Sequence, residues 1–171
     1  MYFKKIPKIL YKDISNTNQL RLVTDILRRV KIRSQAFNQL SMFDLYDVPS
    51  GETPEITAFK HFGSTQYHWV ILLTNNITNV YNQWPLSEPA FSAYLIDKYG
   101  DDLDSVHHYE VTQSSGDTTT RIQVASDTAG ATPVTNREYE ERLQDERRKV
   151  RLLSRSLLPN FIEEYEQLIK A

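Results

Sequence analysis

The 171-residue sequence has no cysteine, few glycines and no long apolar run. The absence of cysteine excludes disulfides, thiolate zinc sites, iron–sulfur clusters and cysteine nucleophiles. Only five glycines are present, and none belongs to a phosphate-binding loop or a dinucleotide-binding fingerprint. The longest apolar run, around Trp69 to Leu73, is far shorter than the roughly 20 residues of a membrane helix. We expect no secretory signal in the charged N-terminal stretch.

What is present fits a globular protein with an uneven charge distribution. Hydrophobic residues make up 40% of the chain, which is enough for an ordinary core. Residues 1–40 contain nine Lys or Arg and two Asp, a balance of +7, whereas residues 41–171 have a balance of −9. A basic segment on an acidic body is typical of docking on an acidic partner or an anionic polymer. A basic face balanced inside one fold explains the same split, so both interpretations stay open.

The first half of the chain predicts an extended arm followed by a strand and two helices. Residues 1–14 are predicted to be extended, and residues 19–33 fit either a helix face or a strand. A strand at 45–48 and a turn at 49–51 precede a helix that Thr53 caps, Pro54 begins and Gly63 ends. Ser64 or Thr65 then caps a second helix, which ends near Asn75.

The second half predicts further helices and one hairpin. The turn formers of residues 77–90 predict an irregular loop, and a third helix is predicted to close at Gly100. Residues 106–112 and 119–125 are typical of a β-hairpin, and residues 126–136 of a linker. The tail is predicted to be helical, because Tyr139, Leu143 and Val150 recur at helical spacing, with a last helix starting at Pro159. The predicted fold class is therefore α+β.

No constellation of catalytic residues stands out. His107 and His108 are adjacent, so their rings are predicted to lie on opposite faces of a strand, and three or four metal ligands are not evident. There is no nucleophile elbow, and paired carboxylates such as Glu140-Glu141 fit solvated helix faces better than an acid/base pair. The sequence therefore predicts no catalytic, cofactor-binding or metal-binding residues.

The candidate contact residues are basic and aromatic. Acidic residues precede the basic cluster at 147–151, which fits helix ion pairs and favours a protein contact over nucleic acid. Aromatic residues around the second helix either pack a small domain or form a contact platform. The candidate interface residues are Arg28, Arg29, Lys31, Arg33, Tyr81, Trp84, Arg147, Arg148, Lys149 and Arg151.

Residues 46–63, YDVPSGETPEITAFKHFG, resemble the first half of a LysM module. That family has a strand, a Gly-Asp-Thr turn, a helix with an Ile-Ala pair and a Tyr-Gly stop. The corresponding residues are a turn at Gly51-Glu52-Thr53, a relaxed pair within 56–58 and a stop at Phe62-Gly63. A second helix ending in Asn corresponds to Asn75-Asn76. LysM modules usually bind N-acetylglucosamine polymers and close with a strand soon after that Asn, whereas this chain continues as YNQWPLS at 81–87.

A wider set of motifs resembles the LysM-containing baseplate wedge subunit of T-even-type contractile-tailed phages. The motifs are YHWVILLTNNI at 67–77, WPLS at 84–87, KYG at 98–100, TDILRRV at 24–30 and the basic run before Leu157-Leu158-Pro159. The resemblance implies strand within 19–33 and a small LysM-like βα core with attached elements. The predicted parts of the chain are a basic N-terminal arm (1–44), the LysM-like core with a Trp-Pro loop and third helix (45–100), a β-hairpin and linker (101–136), and a C-terminal helical tail (137–171).

The resemblance also implies a function through contact. It predicts a non-enzymatic structural subunit of the virion tail that links neighbouring wedge proteins in a hetero-oligomeric assembly formed in the host cytoplasm. No cofactor, nucleic acid or membrane is expected as a partner, and the reducing cytoplasm is compatible with the lack of cysteine. The alternatives are a peptidoglycan-binding LysM module and, as a further possibility, a small hydrolase.

Overall fold

A computed structural model describes residues 6–12, 20–32, 40–114, 116–117 and 119–170. Its elements in chain order are β1 (Lys8–Lys12), β2 (Leu20–Thr24), β3 (Phe43–Asp47), α1 (Pro54–Phe62), α2 (His68–Thr74), α3 (Val80–Gln83), α4 (Glu88–Tyr99), β4 (Val106–Thr112), β5 (Arg121–Val124), β6 (Thr132–Thr135), α5 (Asn136–Arg148), β7 (Lys149–Leu153) and α6 (Leu158–Lys170). These helices and small sheets confirm the predicted α+β class.

The contacts divide the chain into two units, and each unit is assembled from separate stretches of sequence. The first unit contains Met1–Val48, Glu52–Trp84 and Lys149–Ala171. The second unit contains Pro49–Gly51 and Pro85–Arg148. The second unit is therefore inserted, along the chain, between the two helices and the final strand of the first.

The first unit is built around a strand–helix–helix–strand arrangement, β3-α1-α2-β7. Strands β3 and β7 pair antiparallel, with Tyr46 opposite Val150. Thr53 caps α1, Pro54 occupies its first turn and Gly63 ends it with a φ of 78°, as the sequence predicts. Ser64 caps the short 3₁₀ turn that leads into α2. Local signals thus set both helices, whereas the strand that closes the sheet arrives from far along the chain.

Two apolar clusters form the core of the first unit. One surrounds Trp69, whose ring centroid lies 4.7 Å from that of Tyr165, so that α6 packs against α2. The other contains Ala58, Ile71, Trp84 and Val150 and joins α1 and α2 to β7. Because α1 and α2 are short, this packing rather than helix propensity stabilises them.

Within the N-terminal arm, β1 and β2 form a two-stranded antiparallel hairpin in which Leu10 pairs with Leu22. Its base is attached to the rest of the first unit in two ways. The buried side chain of Ile6 enters the cluster around Trp69. The Arg28 guanidinium donates a 3.1 Å hydrogen bond to the Ile169 carbonyl of α6. The strand alternative for residues 19–33 is therefore correct for Leu20–Thr24.

The second unit contains α4, α5 and a three-stranded antiparallel sheet of order β5-β4-β6. Two buried carboxylates organise it, and one of them is Glu140, which is 1% exposed and not on the solvated helix face that the sequence predicts. Glu140 on α5 accepts hydrogen bonds from Lys98 at 2.6 Å and from the Tyr99 hydroxyl at 2.9 Å. Glu110 on β4 pairs with Arg121 and with Arg142, the latter at 2.8 Å. Hydrogen bonds and opposite charges thus compensate the burial of both carboxylates.

Several sequence predictions are corrected by the structure. The tail is not helical throughout, since Lys149–Leu153 form β7 between α5 and α6. The predicted linker contains β6, and the predicted irregular loop contains the single-turn helix α3. The His107 and His108 rings do not point to opposite faces. A register irregularity between Val106 and His108 brings their Nδ1 atoms to 2.9 Å.

Candidate interaction surface

The exposed hairpin is the most distinctive surface of the described residues. In an antiparallel pair, opposed residues and residues two apart share a face, so Leu10, Leu20 and Leu22 lie side by side with Lys8 and Lys12. We call these five residues the leucine face. The three leucines are 66%, 65% and 62% exposed, respectively. A row of leucines in water, bordered by two lysines, has the composition of a contact surface rather than of a solvated strand.

The predicted basic residues of the arm follow this hairpin. Arg28 bonds Asp25 through its Nε atom at 3.2 Å, in addition to its bond with Ile169. Arg29 and Lys31 are exposed. Arg33 lies outside the residues that the structure describes. Arg28 therefore helps to hold the hairpin in place, while Arg29 and Lys31 add positive charge in the segment that follows it.

The two predicted aromatic contact residues have different environments. Tyr81 is 90% exposed and therefore available to a partner. Trp84 is only 5% exposed, and its Nε1 atom donates a 2.8 Å hydrogen bond to the Glu52 carbonyl. Trp84 is thus a core residue of the first unit, and its ring does not form part of an exposed platform.

The predicted basic cluster at 147–151 spans a helix end and a strand. Arg147 and Arg148 lie in the last turn of α5, where positive charge complements the helix dipole. Lys149 is the exposed first residue of β7, and Arg151 lies opposite Leu45 in the sheet. The cluster is therefore not the single basic helix that the sequence predicts.

The turn at Gly51-Glu52-Thr53 has a structural function in this fold. Gly51 has a φ of 80°, and Thr53 caps α1. The buried Glu52 carboxylate accepts hydrogen bonds from Lys60, from Thr57 at 2.7 Å and from Tyr46 at 3.0 Å. Burial alone raises the pKa of Glu52, but these hydrogen bonds outweigh it, and the pKa is lowered overall. Glu52 therefore remains charged and holds β3 to α1.

Asn75 connects the end of α2 to the closing strand. Its Nδ2 donates to the Arg151 carbonyl at 2.8 Å, and its Oδ1 accepts from the Arg151 N–H, also at 2.8 Å. The amide thus pairs with Arg151 as a neighbouring strand would. Asn76 follows at a φ of 55°, and the Ile77 N–H reaches back to the Leu72 carbonyl at 2.8 Å. This is a Schellman helix end with Asn at the left-handed position.

An apolar groove of about 390 Å³ lies in the first unit between the segment after the hairpin and α6. Val30, Lys31, Phe43, Leu153 and Phe161 are among its lining residues. Among the predicted interface residues that the structure describes, Lys31 lines this groove.

The leucine face is the feature that the residue-level prediction missed. Its signal is the alternation of Lys8, Leu10 and Lys12 in residues 8–12 and of Leu20 and Leu22 in residues 20–24, but the helical alternative for residues 19–33 conceals the pairing. Elsewhere, the described residues contain no cluster of His, Asp and Glu that could hold a metal ion. No helix within the described ranges is long and apolar enough to span a bilayer.

These features define a small α+β protein of two units, with an exposed apolar and basic hairpin at its N-terminal end. The family model described as Base plate wedge protein 53 matches residues 1–120. The chain therefore belongs to this family of phage base plate wedge proteins and has a structural role in the base plate. No curated protein matches the chain.

Proposed function

We propose that this chain is a structural subunit that links neighbouring wedge proteins while the base plate assembles in the host cytoplasm. Family membership supports a place in the wedge. The observation that carries the linking function is the hairpin, which has three exposed leucines and is attached at its base to the core of the first unit. An arm of this kind contacts more partner surface than a compact unit of the same size. The function is contact between proteins and requires no catalysis.

The strand–helix–helix–strand arrangement supports a LysM-like module as the rigid part of this subunit. The module begins with β3, uses the Gly51-Glu52-Thr53 turn and ends α2 at Asn75-Asn76, in line with the LysM resemblance of the sequence. Its second strand is β7, which follows the inserted second unit instead of coming soon after Asn75. The module gives the arm and the C-terminal helix a fixed base.

Purified virions and an assembly series test this function. We expect the protein at a fixed ratio to other base plate proteins by quantitative mass spectrometry. In infections that lack it, wedges should accumulate without joining into complete base plates. Virions that lack the protein, or complete base plates formed without it, would contradict the proposal.

Peptidoglycan binding is the second candidate function, and the LysM-like turn and helix end are the observations that favour it. Co-sedimentation of the full chain with purified peptidoglycan tests it directly. Saturable binding that N-acetylglucosamine oligomers compete away would support a sugar-binding module. Absence of binding, with a known LysM protein as positive control, would exclude peptidoglycan binding and leave linking as the remaining candidate function.

A further inference from the structure

The hairpin retains a large apolar area that nothing in the described part of the chain covers. Leu10, Leu20 and Leu22 are all exposed, although the register places them side by side. A two-stranded hairpin is marginally stable in water unless a third strand, a helix or another surface packs on it. The attachment at Ile6 and Arg28 fixes the base of the hairpin but leaves this face open.

The two faces of the hairpin differ in a way that identifies the docking side. The opposite face contains Ile9 and Tyr11, which at 40% and 55% are each less exposed than any of the three leucines, the half-buried Val23 and the exposed Arg21. The leucine face contains the exposed leucines together with Lys8 and Lys12, one at each end of β1. The apolar surface is thus central and the positive charges lie at its rim, which is the usual composition of a protein contact.

We propose that the leucine face docks on an apolar strip bordered by carboxylates on another base plate wedge protein. The leucines bury against the strip, and Lys8 and Lys12 pair with the acidic rim. This inference rests on the proposed linking function and names the surface and the chemistry of its partner. Charge complementarity carries the choice of an acidic rim, since both charged residues of the face are lysines and residues 1–40 have a balance of +7.

A membrane surface would require a different composition. Recognition of anionic lipid uses clusters of about 4–8 Lys or Arg on the bound face, because each adds only about 1 kcal/mol. The leucine face contains two lysines. An apolar strip with an acidic rim therefore matches this face better than a lipid headgroup layer.

The test replaces the gene for this chain in the phage with variant genes and measures how much of each full-length variant is incorporated into purified base plates. The variant Leu10→Ser/Leu22→Ser should lower incorporation at least tenfold. The matched control Leu45→Ser/Ile96→Ser changes two other exposed apolar residues and should incorporate normally. Circular dichroism of each purified variant checks the fold. Incorporation of Leu10→Ser/Leu22→Ser at the wild-type level would overturn the proposal that the leucine face is the docking surface. Absence of the wild-type chain from base plates would overturn the linking function itself.

Charge variants keep the proposal testable if the serine pair does not fold. Lys8→Glu/Lys12→Glu changes exposed ends only and should lower incorporation several-fold, whereas Lys8→Arg/Lys12→Arg should retain it. Equal incorporation of both pairs would contradict an acidic rim.

A photo-crosslinker at position 22 identifies the occupant directly. Replacing Leu22 with p-benzoylphenylalanine in assembling phage should yield an adduct with a different base plate protein, at a peptide flanked by Asp or Glu. Adducts only with a second copy of this chain, or binding of the wild-type chain to anionic vesicles that Leu10→Ser/Leu22→Ser abolishes, would overturn the proposal.

Discussion

At the scale of single residues, Asn75 connects two parts of the chain that are 76 positions apart. Its side chain satisfies both the N–H and the carbonyl of Arg151, and it also donates to the Ile71 carbonyl at 2.8 Å. Asn75→Ala removes these bonds and leaves backbone groups of β7 without them. We expect a loss of about 2 kcal/mol in the free energy of unfolding. Urea unfolding followed by tryptophan fluorescence measures it, because Trp69 and Trp84 both belong to the first unit.

The neighbouring Asn76 provides the matched control. Its φ of 55° is a conformation that glycine adopts without strain, so Asn76→Gly should change the free energy of unfolding by less than about 1 kcal/mol. A similar loss for both variants would show that the helix end, and not the pairing with Arg151, is what matters.

Glu140 predicts acid sensitivity in the second unit. Burial raises the pKa of Glu140, but the hydrogen bonds from Lys98 and Tyr99 lower it by more than burial raises it. The pKa of Glu140 in the folded chain therefore lies below the ordinary value of 4.5. The charged form therefore stabilises the fold above about pH 4.5, and this contribution disappears as the pH falls through the lowered pKa. At pH 7, Glu140→Gln should cost about 2 kcal/mol, because the pair with the partly exposed Lys98 is lost.

Thermal unfolding by circular dichroism between pH 7 and pH 3 measures this difference. The stabilities of wild type and Glu140→Gln should converge as the pH falls, since the protonated carboxyl resembles the amide. The adjacent exposed residue supplies a control, because Glu141→Gln should unfold like wild type throughout. A gap between wild type and Glu140→Gln that stays constant down to pH 3 would contradict the lowered pKa.

At the scale of elements, the accuracy of the sequence prediction depended on how local each signal was. Thr53, Pro54 and Gly63 mark the ends of α1 within one short stretch, and the structure has these caps. β7 was missed because Val150 and Leu153 continue the helical spacing of the tail, while the alternation of Val150 and Leu152 fits a strand equally well. Its partner Tyr46 lies about 100 residues earlier, so no local pattern could decide between the two.

The same limit applies to the candidate site. Composition indicates a basic N-terminal segment, but burial depends on tertiary contacts. Trp84 has the residue type of a contact platform, yet its indole bonds the Glu52 carbonyl inside the core. The leucine face needed the pairing of Leu10 with Leu22, which a sequence alone leaves open.

Strand β7 gives a prediction at this scale. Leu152 is buried in the cluster with Ile71 and Val150, whereas Leu45 on the paired strand is 77% exposed. Leu152→Ala should lower the free energy of unfolding by about 2–4 kcal/mol because it leaves a cavity. Leu45→Ala, the same substitution in the same sheet, should change it by less than about 0.5 kcal/mol. Equal effects of the two substitutions in urea unfolding would contradict the assignment of β7 to the core.

At the scale of the whole molecule, the chain leaves its first unit after Trp84 and returns to it at Lys149. The closing strand of the first unit is therefore synthesised only after the second unit. Pairing of β3 with β7 encloses a long loop, and such non-local contacts are slow to form. The base of the N-terminal hairpin likewise waits for the end of the chain, because Arg28 bonds the Ile169 carbonyl and Ile6 packs in the cluster that contains Leu153.

The uneven charge gives the last prediction. Residues 1–40 have a net charge of +7 and residues 41–171 a net charge of −9. If the basic segment docks on an acidic partner, electrostatic attraction speeds their encounter, and added salt weakens this attraction because it screens the charges. The association rate of the full chain with wedges isolated from infections that lack it should fall about tenfold between about 0.05 and 0.5 M NaCl. Lys8→Glu/Lys12→Glu should flatten this dependence, and Lys8→Arg/Lys12→Arg should preserve it. If the charges are balanced inside the fold instead, the wild-type rate will be independent of salt, and stopped-flow measurements on the three proteins separate the two cases.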